Sequence, residues 1–319
     1  MIEKRKSLLR VLCLMLLSGL AVLPLQARGE TKETTRSTFA TPDAAVAALV
    51  AAVREADHDK LLAIFGPGSE DLVSSGDPVS DQHGRQRFLK AYAEKNSLVK
   101  RDERHLVLHV GSDDYPFPIP LVKGERGWFF DTRAGKEEIL DRRIGRNELR
   151  TMEVLQAYTA AQREYACRIG KSDSSPAHFA TKLISSEGKH DGLYWPAANG
   201  ETESPFGPLI ARAGKDGYGE GFGAGTAEPF HGYFYKILTA QGPHANGGAF
   251  DYLVNGEMVL GFAMVAYPAN YGSTGIKTFI VNQEGVIHEK DLGEKTAEAA
   301  KMTTYDPDET WKVSEEPED

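Results

Sequence analysis

The feature that most constrains this 319-residue chain is a switch of apolar period, from helix-like to strand-like, that occurs twice. In the first round, Val46, Leu49, Val50 and Val53 recur at i, i+3, i+4 and i+7, one face of a helix. Thr41-Pro42-Asp43 supplies its start: threonine suits the N-cap, proline the first turn, and an acid the positive helix end. Asp57-His58-Asp59 turns the chain. Leu61, Leu62, Ile64 and Phe65 predict a second short helix, stopped by Gly66-Pro67-Gly68. A third helix is expected over about 81–96, burying Phe88, Leu89 and Tyr92. Strand composition follows at 106–110, 119–122 and 128–130, the last two joined by a hairpin turn at Gly124-Glu125-Arg126-Gly127.

The second round opens with the longest helical signal, 147–168, where Leu149, Met152, Leu155, Tyr158 and Tyr165 form one apolar stripe. Between 170 and 232 the chain is rich in Gly and Pro, which predicts long surface loops with little regular structure. Strands are expected at 233–238, 261–267, 276–281 and 286–289, with a turn at Asn282-Gln283-Glu284-Gly285. Helices followed by antiparallel strands, twice over, define an α+β chain of two domains, each with helices packed on an antiparallel sheet. The expected boundaries are 38–145 and 146–313, the long helix lying across the second sheet, with an acidic tail at 314–319.

The N-terminus has a different logic. Lys4, Arg5, Lys6 and Arg10 precede an apolar run over 11–25, and Leu25-Gln26-Ala27 ends in a small residue. Basic, apolar, small is the order of a secretory signal peptide, predicting cleavage after Ala27, a disordered lead-in over 28–37 and a periplasmic or secreted product. No other run is long and apolar enough to span a bilayer. The whole chain carries a net charge of −9, and loss of a basic leader makes it more acidic. Such a chain has no general attraction for nucleic acid or an anionic membrane surface. Cys13 lies in the leader, so Cys167 remains alone, and its helical setting predicts a small packed side chain.

Four segments carry a resemblance: Tyr115-Pro116-Phe117-Pro118-Ile119-Pro120; Gly135-Lys136-Glu137-Glu138-Ile139-Leu140 with Arg142-Arg143-Ile144-Gly145; Tyr267-Pro268-Ala269-Asn270-Tyr271-Gly272; and Thr278-Phe279-Ile280-Val281-Asn282-Gln283-Glu284-Gly285. With them the chain resembles domain-of-unknown-function family 2950, a group of uncharacterised exported bacterial proteins. The resemblance implies a compartment and no activity. The arrangement over 41–132 is similar to nuclear-transport-factor-like domains, which implies a cone with a pocket between sheet and helices. The second half, with Ala266-Tyr267-Pro268, Gly272, Gly275, Phe279 and Gly285-Val286-Ile287, is similar to the globular part of pilins and pseudopilins, although no prepilin cleavage motif opens this chain.

Chemistry-bearing motifs are sparse. Gly219-Glu220-Gly221-Phe222-Gly223-Ala224-Gly225 lacks the flanking strand and helix that a dinucleotide loop needs, and Glu220 would repel phosphate. The nine histidines are spread out, and neither Asp306-Pro307-Asp308-Glu309 nor Asp113-Asp114 has calcium-loop spacing. No metal, cofactor or catalytic residue is therefore expected. An acid-base pair in the first-half pocket, drawn from Asp77, His105, His109 and Asp131, is the alternative. Loop aromatics offer a binding reading: Tyr194, Trp195, Phe206 and Phe230 are candidate interaction residues, as anchors for a protein or small-molecule partner or as plugs onto their own domain. The sequence thus points to a non-catalytic binding or envelope-associated protein, with a small-molecule enzyme as the alternative.

Overall fold

Three side-chain caps set the helical layer of the first half. In the computed structural model, which describes residues 36–170, 177–197, 202–215, 218 and 228–314, Thr41, Asp57 and Asp77 each accept a backbone N–H three residues on, at 3.1, 3.0 and 2.9 Å. They open α1 (Pro42–Glu55), α2 (His58–Phe65) and, after the short α3 (Glu70–Val73), α4 (Pro78–Glu94). The strands are β1 (Asn96–Lys100), β2 (His105–Val110), β3 (Tyr115–Pro116), β4 (Leu121–Gly124) and β5 (Gly127–Phe130). They form an antiparallel sheet in the order β1-β2-β4-β5, with β3 beside β2. Leu49, Leu61 and Phe65 from the helices meet Leu108, Leu121 and Phe130 from the sheet in one core. Phe65 and Phe117 both stand edge-on to Phe130, at 5.9 and 6.2 Å.

The predicted third helix is displaced: it starts at Pro78 and ends at Glu94, and Asn96 belongs to β1. The sequence conceals β1 because it is an edge strand whose only partly covered residue is Leu98, so no apolar alternation marks it. Phe88, Leu89 and Tyr92 are half-buried rather than buried.

The long helix α5 (Thr132–Arg168) is the largest departure from expectation. It begins at Thr132 rather than Asn147 and runs without a break through Gly145, where the domain boundary is expected. Its 37 residues span roughly 55 Å at ~1.5 Å per residue. The first turns belong to the first half: Thr132 donates its hydroxyl to the Phe65 carbonyl at 2.6 Å, and Gly135 packs against the Pro118 carbonyl so closely that a Cβ would collide with it. The later turns cross the second sheet, and the Tyr158 hydroxyl donates to the Ala263 carbonyl at 3.1 Å. Of the predicted stripe, Met152, Leu155, Tyr158 and Tyr165 are buried, whereas Leu149 is 42% exposed. At that turn the inner face belongs to Asn147 and Thr151, polar residues that an apolar pattern does not register. Cys167 is exposed on α5, not packed.

After α5 come α6 (Gly207–Lys215) and β6 (Tyr233–Leu238), then β7 (Ala240–Gln241), β8 (Phe250–Asp251), β9 (Leu253–Val254) and β10 (Glu257–Met258). The chain ends through β11 (Ala263–Pro268), β12 (Lys277–Asn282), β13 (His288–Asp291), a 3-10 helix (Gly293–Lys301), β14 (Thr304–Tyr305) and β15 (Lys312–Val313). The second large sheet has the order β15-β13-β12-β11-β6 and is antiparallel throughout. The protein is therefore α+β, with a separate apolar core on each sheet. α6 lies in a stretch expected to be loop: Pro208 reads as a turn signal, yet proline is tolerated in a first helical turn, and Leu209, Ile210 and Ala213 then bury one face. The described residues all fall within one compact unit. Among them no helix is long and apolar enough to cross a membrane. The expected signal peptide (1–27), most of the lead-in and acidic tail, and the Gly219–Gly225 motif lie outside the described residues.

Candidate functional site

Helices α1 to α5 and the first sheet surround a cavity of about 510 Å³. That volume lies within the ~300–1,000 Å³ usual for small-molecule sites. Leu49, Phe65, Val110, Phe117 and Ile119 form an apolar floor. Helix spacing builds the walls. From α5, Ile139, Arg142, Arg143 and Arg146 fall at i, i+3, i+4 and i+7, one face turned to the cavity. From α4, Gly84, Arg87, Phe88 and Ala91 do the same. Gly84 sits in the middle of a helix, where glycine costs up to about 1 kcal/mol against alanine. Nothing lies within 4 Å of where its Cβ would be, so this glycine keeps the wall open rather than admitting a neighbour.

The lining is lopsided in charge. It contains five arginines, 85, 87, 142, 143 and 146, against one carboxylate, Asp81, and no histidine. Asp81 is already engaged by the Ser75 N–H at 3.0 Å. Arg143 is held structurally: its guanidinium donates to the Asp71 and Leu72 carbonyls at 2.5 and 3.2 Å and to the Ser273 hydroxyl at 3.3 Å. Arg142 pairs with Glu138 and lies over the Tyr115 ring at 4.8 Å, yet its Nη1 is buried without a hydrogen-bond partner. Among the described residues, the charges that act on Arg87 and Arg146 are other guanidiniums. Partial burial first, then the guanidiniums of Arg146 and Arg150, hold Arg87 below the ordinary arginine range. For Arg146, partial desolvation of its exposed side chain and then Arg150 do the same. All remain charged at neutral pH.

Beside the cavity, a polar seam joins the halves. Asp77, 1% exposed, caps α4 with one oxygen, while its Oδ2 accepts the Tyr218 hydroxyl at 2.8 Å and the Gly232 N–H at 3.0 Å. Burial is the main cause of its raised pKa, and burial plus the Asp77 charge raise that of Tyr218. Asn270 donates to the Ser75 carbonyl at 2.7 Å, Asn147 to the Thr274 carbonyl at 2.9 Å, and Glu148 accepts the N–H groups of Ile276 and Lys277 at 2.9 and 3.0 Å. Next to them His231 Nδ1 lies 3.2 Å from Arg150 Nη1. The guanidinium can only donate, so Nδ1 accepts and the imidazole is neutral.

The residues proposed from sequence are dispersed. Trp195, Phe206 and Phe230 are at most 4% exposed and belong to the second core, so they plug the loops onto their own half rather than standing open as anchors. Trp195 stacks on His190 at 4.3 Å and donates its Nε1–H to the Thr202 carbonyl at 3.0 Å. Tyr194 is half-buried and its backbone pairs with Ile184. Of the proposed acid-base set, His105 is exposed and bonds to Asp102 at 2.8 Å, and His109 is half-buried with its Nε2 unpartnered. Asp131 precedes α5 without a capping bond. None of the four, Asp77 included, lines the cavity. The cavity arginines of α5, 142, 143 and 146, share a helical face with Ile139 that becomes visible in the sequence only when the helix starts at Thr132.

Fold and site together define an α+β protein with an apolar cavity under an arginine-rich mouth. The chain belongs to the DUF2950 family, described as proteins of unknown function, which matches residues 36–314. No curated protein and no solved structure matches the chain.

Proposed function

We propose that this is an exported binding protein that holds a small ligand in the first-half cavity and leaves it chemically unchanged. The cavity carries the reading: it is concave, mostly apolar and bordered by a few polar groups, the usual make-up of a small-molecule site. An antiparallel sheet packed against helices is consistent with the cone-like likeness of residues 41–132. Export rests on the basic, apolar and small order of residues 4–27. The test is native mass spectrometry of the protein recovered from its producing cells. The expected result is a chain beginning at Arg28 that carries a non-covalent small molecule. An unprocessed chain would sink export, and an empty protein with no thermal shift across a metabolite panel would sink binding.

An acid-base enzyme is the second reading, favoured by one observation: Asp77 and Tyr218 share a 2.8 Å hydrogen bond and both have raised pKa values. Against it, the pair is sealed in the seam, and its oxygens are already occupied by the α4 cap and Gly232. Their arrangement serves better as a clasp than as a reaction centre.

A further inference from the structure

Resting on that binding reading, we propose that the ligand is a single-chain anionic amphiphile, its aliphatic chain on the floor of the cavity and its charged head between Arg87 and Arg146. The floor offers apolar and aromatic side chains, Leu49, Phe65, Phe117 and Ile119 among them, and apart from the arginines the polar lining is limited to Ser80, Asp81 and the Tyr115 hydroxyl. The mouth offers the opposite. Arg87 from α4 and Arg146 from α5 both line it; Arg146 and Arg150 disfavour protonation of Arg87, Arg150 disfavours that of Arg146, and among the described residues no carboxylate acts on either. Two like charges held together in a folded protein cost free energy that an anion between them removes.

Arg142 supplies an independent indication. A buried guanidinium N–H without an acceptor costs about 1–3 kcal/mol, and Nη1 of this cavity-lining residue is such a group. An anionic head at the mouth gives it an acceptor. Gly84 points the same way. A glycine in mid-helix with free space beside it is unfavourable for the helix alone, and it widens the space that an aliphatic chain would occupy. Carboxylate and phosphate heads both satisfy a guanidinium fork, and both classes of amphiphile occur as free acids and as lipid fragments.

The test uses the full processed chain and isothermal titration with decanoate, decyl phosphate, decanol and inorganic phosphate. The charged amphiphiles are expected to bind at least tenfold more tightly than decanol, and inorganic phosphate to bind weakly or not at all. Arg87→Gln and Arg146→Gln are each expected to weaken decyl phosphate about tenfold and leave decanol unchanged. Arg126→Gln, in the distant β4–β5 turn, should alter neither. The relative affinities of decanoate and decyl phosphate decide between a fatty-acid-like and a phospholipid-like head. Gly84→Trp, which fills the cavity without displacing backbone, should abolish binding of every chain-bearing probe. Equal binding of decanol and decyl phosphate, with Gly84→Trp still blocking both, would overturn the anionic head but keep the cavity reading. No binding of any probe would remove both.

Discussion

At the scale of single residues, His231 is the described histidine most altered by folding. Burial first, then the cations of Arg150, Arg212 and His83, bring its pKa from 6.5 down to about 3. In the unfolded chain it takes up a proton below about 6.5, whereas the folded protein refuses one until about pH 3. Its contribution to stability is therefore complete above pH 6.5 and is lost progressively as the pH falls toward 3. The urea midpoint should drop over that window. His231→Asn, which tolerates the positive φ of 51° at this position, should flatten the drop. An unchanged slope in the variant would show that other groups govern acid sensitivity. Asp77 acts with the opposite sign: its raised pKa favours the folded state most at low pH and progressively less as the pH rises above 3.8. Sequence reasoning could single out Asp77 as an ionisable residue near a helix start. It could not supply Tyr218, 141 positions away, or Gly232, 155 away, because nothing local links them. The same holds for Trp195, Phe206 and Phe230: residue type and a loop setting are identical for a plug and an anchor, and only burial separates them.

At the scale of elements, two helical glycines of identical chemistry should respond to alanine with opposite signs. Gly84 in α4 has open space at its Cβ position, so Gly84→Ala should stabilise the protein by about 0.5–1 kcal/mol through helix propensity alone. Gly135 in α5 abuts the Pro118 carbonyl and Ile119 Cα, and Gly135→Ala should destabilise by about 1–3 kcal/mol, the usual range for overpacking. Chemical denaturation of the pair measures both. Two changes of the same sign would contradict the packing described at α5. Element type was largely legible. Thr41, Pro42 and the spacing of Val46, Leu49 and Val50 announce α1, and 233–238 is read to its exact ends as β6. The start of α5 was not legible, because its first turns, with Arg133, Lys136, Glu137, Glu138, Asp141 and Arg142, are too highly charged to show an apolar stripe. That omission also hid the cavity wall, since Ile139, Arg142, Arg143 and Arg146 form a face only once they are placed on one helix.

At the scale of the whole molecule, each sheet has its own core, yet α5 and the Asp77 seam tie them together. Unfolding one half would strand half of a helix and leave the Tyr218 hydroxyl and Gly232 N–H without their acceptor. The chain is therefore expected to unfold in a single transition, with hydrogen exchange at Leu108 in the first core and Ile280 in the second reporting the same opening energy. Asp77→Ala removes a helix cap and orphans two buried donors, which should cost about 2–4 kcal/mol and pull the two exchange energies apart. Unequal energies in the unsubstituted protein would contradict the coupling. The unbroken α5 also bears on heredity. Recombination joins domains most safely at a flexible join, and α5 is not one: any crossover within 132–168 would cut a single rod whose ends lie in different cores. The pair of sheets is thus expected to be inherited as one indivisible piece, lengthening or shortening at its outer loops but not shuffled half by half among other proteins.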